Sequence, residues 1–430
     1  TDILIFSGAE VETREVGLNG GNYLAITLAQ KVNNLDETII IGYGTTTKRY
    51  NVGSVTKVSS GIISTQPVAN PLSALQDRVP GLLVTQTSGV PGSSVSIQIR
   101  GQNTLNPNPM LNNISPRDNP LFIIDGVPFA PQNDNINQFN SLASPGGNAI
   151  YGNPHGGISA FNSINPADIE SIEVLRDADA TSIYGSRGSN GVILITTKKG
   201  KAGKTNFSGN VYKGWSSATR TMQMLTTEQY LAMRNEAFKN DGIIANITPG
   251  TRGYAPDIKV FDSTAYTNWE DYFLGNTAST FDANAKLTGG SLSTQFLIGA
   301  GFHKESYILP GDFSHIRGSF NLHLNHATQD KKFNIEISAN YSTDKNNSAN
   351  AQNALTAFTL PPNHPDLLNT ENKLRWDYDG VVIDNKLAYL KRKYSIQNSN
   401  LIASLNASYR ITPGLKLNPT LVTARLTVMK

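Results

Sequence analysis

The sequence predicts an antiparallel membrane β-barrel, present in part, preceded by an α+β domain and, before that, by the end of a small β-sandwich module. Three observations predict it. Beyond residue 203 the chain alternates apolar and polar residues with a period of two, in segments of about ten residues. No run of about 18 apolar residues exists, so no transmembrane helix is expected. A membrane span must then be a closed barrel, because only helices and barrels satisfy every backbone group in lipid. Of the 430 residues, 38% are hydrophobic and 16% charged, with Asn, Ser, Thr and Gly filling much of the rest. That mixture suits strands with a polar face rather than a helical bundle, and the length implies more than one domain.

Residues 1–31 read as the end of the all-β module. DILIFSG and YLAITLAQ are short strands, and LNGGN between them supplies a turn. Thr1 falls inside a strand and no signal peptide is visible, so the first strands of this module are expected to lie outside the sequence. Residues 32–50 form a linker in which the apolar run Thr38-Ile39-Ile40-Ile41 stands between polar stretches. Such a run is either a portable strand, able to add to another protein's sheet by main-chain hydrogen bonds, or an ordinary core strand of the next domain.

Residues 51–202 read as one α+β domain. PLSALQDRVPGLLV starts as a short helix with Leu72, Leu75 and Val79 on one face, ended by Pro80-Gly81. SVSIQIRG alternates as a strand, and PLFIIDGVP is an apolar strand leading into an Asp-Gly turn. NPADIESIEVLRDADATSIYGSRGSNGVILITTKKG reads as helical entry, strand, short helix, Gly-rich turn and final strand. Asp177 and Asp179 flank the helix start, where carboxylates favour the helix dipole. Residues 102–119 and 130–160 are long loops rich in Asn, Pro and Gly, a length that goes with function or disorder.

From 203 to 430 the strands carry two different faces. Phe281, Ala283, Ala285 and Leu287 interleave with Asp282, Asn284, Lys286 and Thr288. Phe320, Leu322 and Leu324 interleave with Asn321, His323 and Asn325. Phe333 to Tyr341 and Leu401 to Tyr409 repeat the pattern. A soluble β-sandwich also alternates. Two features favour the barrel: the polar face carries Glu, Lys, Asn and His, and the connections alternate short and long. SLST and ATQDKK are tight turns, while 218–280 and 346–399 are long excursions.

The net charge of +3 is too small to imply nucleic acid, and no long Lys/Arg cluster with interleaved aromatics occurs. The basic run Lys198, Lys199, Lys201 and Lys204 is expected to be a solvated strand end. The absence of cysteine removes disulfides, thiolate metal sites and cysteine nucleophiles. GKAGKT at 200–205 echoes the end of a phosphate loop, but Lys198 stands where the motif needs an earlier glycine. His323 and His326, three apart on a strand, are expected to point to opposite faces, and no third ligand lies near them. There is no HExxH or GxSxG, and neither catalytic residues, a metal nor a cofactor is expected.

At residues 71–101 and 120–200 a resemblance becomes specific. NPLSALQDRVPGLLVTQTSGVPGSSVSIQIRG, NPLFIIDGVPF and INPADIESIEVLRDADATSIYGSRGSNGVILITTKKGK resemble the plug domain of SusC/RagA-type TonB-linked outer-membrane transporters. The motif is carried by Arg100, Gly101, Asp125, Gly126, Tyr184, Gly185, Arg187, Gly188 and Gly191. LDETIIIGYG sits where the family has its TonB box, which implies Glu37, Thr38, Ile39, Ile40, Ile41, Gly42 and Tyr43 as partner-binding residues. Residues 1–31 resemble the end of the carboxypeptidase-regulatory-like β domain that precedes the box, and the segment around YTNWEDYFLGNTASTFDANAKLTGG resembles the first barrel hairpin; the resemblance weakens after about residue 345.

The resemblance implies a ligand-gated importer in the outer membrane of a Gram-negative bacterium, not an enzyme. Residues 51–202 would plug the lumen of the barrel begun at 203–430. The TonB C-terminal domain would pair with the box and pull. A SusD-like surface lipoprotein would cap the barrel, in pairs that could dimerise, and the substrate would be an oligosaccharide or a peptide. Candidate substrate contacts are Asn103, Asn106, Asn108, Phe129, Asn133 and Asn135 on the plug loops, unless these pack on the wall. Arg100 is expected to be buried or half-buried between plug and wall, paired with a barrel carboxylate. The cluster Gly185, Gly188 and Gly191 is expected to hold the plug's shape rather than a ligand. About seven strand candidates follow the plug, whereas plugged transporters use about 22. The sequence is therefore expected to be a fragment or truncated product that does not transport alone. Two other readings stay open: a SusC-like scaffold subunit without transport, and a secreted β-sandwich adhesin or glycan-binding protein.

Overall fold

The structure is a computed structural model that describes residues 55–86, 89, 91–93, 95–101, 120–129, 159–176, 182–349, 359–383, 385–391, 393–412 and 414–429, with the short stretches 3–8, 11–17, 26, 38–41 and 44–47. In the N-terminal module, β1 (Ile3–Gly8) pairs antiparallel with β2 (Val11–Gly17). β2 was not expected, because VETREVG is too charged to read as a strand; YLAITLAQ lies outside the described residues except at Ile26. In the linker, β3 (Thr38–Ile41) forms a hairpin with β4 (Gly44–Thr47).

The plug is built on a five-stranded sheet. Its order is β5 (Val55–Ser59), β10 (Ile169–Leu175), β11 (Val192–Thr197), β8 (Leu121–Ile124) and β9 (Val127–Phe129). Within it, only β11 and β8 run parallel. All four residues of β8 are buried, as a continuous apolar run requires of a strand covered on both faces. Alternate residues then fall into two cores. Phe122, Ile124, Ile172, Val174, Ile193 and Ile195 belong to the larger. Leu121, Ile123, Leu175, Val192 and Leu194 belong to the smaller. Burying each such side chain contributes about 1.5–3 kcal/mol.

The larger core is closed by the 3-10 turn Pro71–Leu75, whose Leu72 and Leu75 are buried with Val79. The hairpin of β6 (Leu82–Gln86) and β7 (Val95–Ile99) completes it. Asp125 and Gly126 join β8 to β9 with φ of 48° and 83°, the pair of left-handed residues that a two-residue hairpin needs. Asp125 also accepts hydrogen bonds from Thr197 N at 2.8 Å and Thr197 Oγ1 at 2.7 Å, tying the turn to the end of β11.

The wall is an open antiparallel sheet of long strands. In order these are β12 (Gly203–Ser216), β13 (Ala278–Gly290), β14 (Thr294–Ser306), β15 (Ser314–Ala327), β16 (Phe333–Ala349) and β19 (Lys393–Thr412). β19 then pairs with the short β20 (Leu415–Leu417) and with β21 (Thr420–Met429). SLST and ATQDKK are the tight turns expected. On one face Phe207, Val211, Trp215, Phe281, Ile298, Phe302, Phe320, Tyr341 and Tyr409 are exposed. On the other, Asp282, His303, Arg317, Asn321, His323, Asp344 and Asn398 are buried. Greasy side chains outward and polar ones against a folded stopper are the lipid and lumen faces of an outer-membrane barrel. Aromatic residues near both strand ends, Trp215 and Phe302 at one and Phe207 and Tyr409 at the other, fit interfacial girdles.

The long connections fold as well. Helix Thr227–Asn240 starts with a capping box formed by Thr226 and Gln229. The hairpin β17 (Asp377–Tyr378) and β18 (Val381–Val382) lies in the second excursion. Trp269, Phe273, Tyr307, Leu309, Phe313, Leu360, Leu367, Leu387 and Leu390 gather the connections into a third core at the long-loop end. Trp269 Nε1 donates to Pro361 O at 2.9 Å within it.

Candidate functional site: the plug–wall seam

Strand register arranges the lumen face in lateral rows, because cross-strand partners point the same way. One row runs Asp282, His303, Arg317, Asp344, Asn398 across five strands. Below it, towards the short turns, run Asn284, Gly301, Ser319, Ser342, Asn400 and then Lys286, Gly299, Asn321, Asn340, Ile402. Glycine at both of these lumen positions of β14 leaves a trench where other strands carry side chains.

Plug segment 159–168 lies in that trench. Asn165 Nδ2 donates to Asn284 Oδ1 at 2.7 Å and to Ser319 Oγ at 3.0 Å, one on each flank of Gly301. A Cβ on Gly301 would come within 2.6 Å of Asn284 Oδ1, 2.7 Å of Ser319 Oγ, and closer still to Asn165 Nδ2. Asp168 lies over Gly299, its Oδ1 3.5 Å from where a Cβ would stand. Desolvation at the wall raises the Asp168 carboxyl to about 6, against the pull of Lys198, Arg317 and Lys286.

The centre of the seam is Arg317. It is fully buried, and its Nη1 donates to Ala69 O at 2.6 Å, Asn162 O at 3.2 Å and Ile164 O at 3.5 Å. Its partners on the plug are thus backbone carbonyls from two separate segments, which Asn70 Nδ2 also joins by donating to Asn162 Oδ1 at 2.9 Å. Asp282 and Asp344 in its own row, with Asp168, supply compensating negative charge. His303 shares a 3.0 Å hydrogen bond with Asp282 through Nδ1.

The seam is gripped at both ends. Towards the long loops, Pro91 O accepts from Asn346 Nδ2 at 3.0 Å, and the Tyr307 hydroxyl lies 3.2 Å from Pro91 O and 2.6 Å from Asn346 Oδ1. At the short-turn end, Lys199 Nζ pairs with Glu336. Gly200 N donates to His323 Nδ1 at 3.4 Å, which leaves Nε2–H to donate to Glu336 Oε1 at 3.0 Å. Lys198 Nζ donates to Ala167 O at 2.7 Å, and burial lowers its pKa. The run at 198–204 is therefore only partly a solvated strand end: Lys201 and Lys204 are exposed, whereas Lys198 and Lys199 are engaged. His323 faces the lumen, and His326 pairs instead with Thr294 Oγ1 at 2.7 Å.

Two expectations are corrected. Arg100 is exposed, with a left-handed φ of 62°, and is not buried between plug and wall. The buried arginine of the seam comes from the wall, as Arg317. Phe129 is not placed for substrate contact. It is buried in the plug core and packs edge-on against Phe161 at 5.1 Å, because Val127 and Phe129 share the inward face of β9.

Of the other motif residues, Asp125 and Gly126 form the β8–β9 turn, and Gly101 follows Arg100 with φ of 85°. Tyr184, Gly185, Arg187 and Gly188 lie in the 3-10 segment Ser182–Gly188. Gly191 is buried with φ of 92°, and a Cβ there would meet Ile99 Cδ1 at 2.6 Å. Of the residues expected to form the box, Thr38, Ile39, Ile40 and Ile41 are the hairpin strand β3, while Glu37, Gly42 and Tyr43 lie outside the described residues. Asn103, Asn106, Asn108, Asn133, Asn135, Asp177 and Asp179 lie outside them too.

A stopper hydrogen-bonded to the polar face of an antiparallel wall defines a plugged outer-membrane barrel. A sequence profile described as TonB-dependent Receptor Plug Domain matches residues 47–192. The TonB-dependent receptor P26 of Formosa agariphila is 32% identical over 316 residues, covering 72% of this chain and 27% of the relative. The TonB-dependent receptor SusC of Bacteroides thetaiotaomicron is 29% identical over 369 residues, covering 85% of this chain and 32% of the relative. In fold the chain is similar to the RagAB peptide importer in its open-open state, with a TM-score of 0.69 at 23% identity, covering 91% of this chain and 42% of that one. The closed-closed state gives 0.66. The chain belongs to the SusC/RagA-type TonB-dependent receptors, which are not enzymes. It spans about a third or less of the length of these curated relatives.

Proposed function

We propose that the chain is the plug and first wall strands of an importer that takes up an oligosaccharide or a peptide across the outer membrane, driven through the TonB C-terminal domain. The observation that carries this reading is the seam itself. The plug is held to the wall largely by hydrogen bonds, each worth about 0.5–1.5 kcal/mol net because water can replace it. A permanent structural filling would gain more from an apolar joint. The strand Thr38–Ile41 is the site at which TonB adds by main-chain pairing. A SusD-like lipoprotein caps the long-loop end, in pairs that could associate as dimers, with outer-membrane lipid around the barrel. A peptide is the cargo named for the RagAB neighbour in fold, and an oligosaccharide is what the resemblance to the family implies.

The test is Ile40→Pro, expressed from the native locus. Proline removes a main-chain donor from the strand without touching the plug. Uptake of the cognate nutrient and binding of the purified TonB C-terminal domain should both be lost, with protein level in the outer membrane unchanged. Unchanged uptake would refute the reading and favour a scaffold role.

A further inference from the structure

We propose that Arg317 is a coincidence latch: a positioning residue of the wall that makes the two plug segments it holds, around Ala69 and around Asn162–Ile164, leave the wall together rather than in turn. The latch bears on how the importer proposed above opens, and it rests on that reading for its purpose but not for its test.

Burial sets the cost of breaking the contact. Arg317 is among the largest fully buried side chains of the protein. Its guanidinium has no water to turn to while either segment stays docked, so a lost carbonyl is not replaced. A buried charged donor left short of acceptors costs more than an ordinary hydrogen bond. One carbonyl, Ala69 O, belongs to the segment leading into the turn Pro71–Leu75. The other two, Asn162 O and Ile164 O, belong to the 3-10 turn Ala160–Ser163 and its exit. More than ninety residues of chain separate them, yet one nitrogen serves both.

Withdrawal of either segment alone therefore strands the guanidinium in a still-dry site, with His303 and Asp344 beside it in its row and Asp282 one strand beyond. Withdrawal of both floods the site and solvates the charge. The intermediate is the costly state, and that makes the opening two-state.

The carbonyls also decide what the latch reads. Among the described residues, the plug atoms that accept from Arg317 are all main-chain oxygens, so the latch senses the folded backbone of the two turns and not their sequence. All three contacts run from Nη1, which stands one bond farther from Cα than a lysine Nζ and is held in direction by the planar guanidinium, and that reach lets one nitrogen meet both segments. Arg317→Lys thus keeps the charge and removes the bridge.

Amide hydrogen exchange on the full-length protein in detergent tests this without substrate or TonB. The amides of Leu72, Ser73 and Gln76 report one segment, and those of Asn162, Ile164 and Asp168 the other. In the native protein both sets should share one opening constant. In Arg317→Lys the constants should separate by roughly tenfold or more, one segment staying protected. Arg317→Gln should speed both sets and also separate them. Distinct constants in the native protein would overturn the proposal. So would common constants that move together in Arg317→Lys, the behaviour of a residue that is merely structural. Loss of uptake in Ile40→Pro is a separate result, so failure of the import reading and failure of the latch can be told apart.

Discussion

Replacing Gly301 with alanine should lift the plug from its trench. The methyl group would stand within 2.6 Å of Asn284 Oδ1 and 2.7 Å of Ser319 Oγ, the two acceptors of Asn165 Nδ2. None of these atoms is the far end of a long flexible chain, and all three side chains are committed to one another. Relief by displacement breaks two hydrogen bonds at about 0.5–1.5 kcal/mol each, and overpacking adds about 1–3 kcal/mol. The segment 162–168 should therefore lose about 2–6 kcal/mol of docking free energy. At tenfold per 1.4 kcal/mol, even the lower figure raises its opening more than tenfold. Hydrogen exchange at Asp168 N, whose bond to Asn165 O closes the turn that the wall supports, reads that change as the undocked turn frays, and entry of a large antibiotic normally excluded by the outer membrane reads it in cells. Gly318→Ala is the matched control. Gly318 lies on the outward face of the next strand, and its added methyl would meet only Thr343 Cγ2 at 3.9 Å. If the two variants exchange alike, the trench does not position the plug and the reasoning fails.

Asp168 should make docking depend on pH. Its carboxyl is raised from 3.8 to about 6 when docked, so the docked state binds more protons between those values, and docking weakens as pH rises from about 4 through 6 and levels off above. Asp168→Asn should flatten that slope and strengthen docking at pH 7.5 by about 1–2 kcal/mol, discounted because the residue is half-buried; exchange at 162–168 across pH checks it. Asp125→Ala removes both acceptors of Thr197 and puts a β-carbon without a local hydrogen bond at φ of 48°. Denaturant unfolding of the plug should show a loss of about 2–4 kcal/mol, with Asp125→Asn milder. Gly191→Ala meets Ile99 Cδ1 at 2.6 Å and Leu175 O at 3.1 Å at a φ of 92°, so the same assay should report a loss of at least about 2 kcal/mol.

The period-two stripes make most of the wall legible from the residues alone, because alternation is imposed by the strand itself and needs no partner. Leu72, Leu75 and Val79 are legible for the same reason: one face of one turn. The seam is legible only in outline. TQFLIGAGFHKES carries two glycines two residues apart on the lumen stripe, which is a sign of close backbone approach. Arg317 has no such sign. Its role depends on carbonyls of Ala69, Asn162 and Ile164, which every sequence possesses and no sequence marks. Arg100 is conspicuous because it sits in the run IQIRG. The left-handed backbone there turns it outward, and local sequence rarely reveals φ at a non-glycine residue. Phe129 is misplaced by its neighbour, the long loop, although the alternation of VPF with the preceding strand already puts it on the core side.

The seam and the plug's sheet differ in what they lose to water, and the difference sets the order of events under load. Plug and wall meet through amides, hydroxyls, a guanidinium, carbonyls, the His323 imidazole and the Lys199–Glu336 ion pair, and among the described wall residues Ile402 joins the plug's buried apolar core. Water replaces the part-buried amide and hydroxyl contacts at small net cost per bond, and the buried Arg317 contact gives way only when both of its segments leave. The sheet is covered on both faces by Ile, Leu, Val and Phe, and exposing even three of these costs about 4.5–9 kcal/mol. A force applied through the linker before β5 therefore reaches first an interface that can rehydrate and only afterwards a core that cannot. The edge strand β5 is the exception. It pairs with β10 alone, and Val58 is its one residue in the buried core, so it can peel at a cost close to that of the seam. The competition that decides the mechanism is thus between β5 and the Arg317 latch. The latch wins only as long as both of its plug segments remain folded turns.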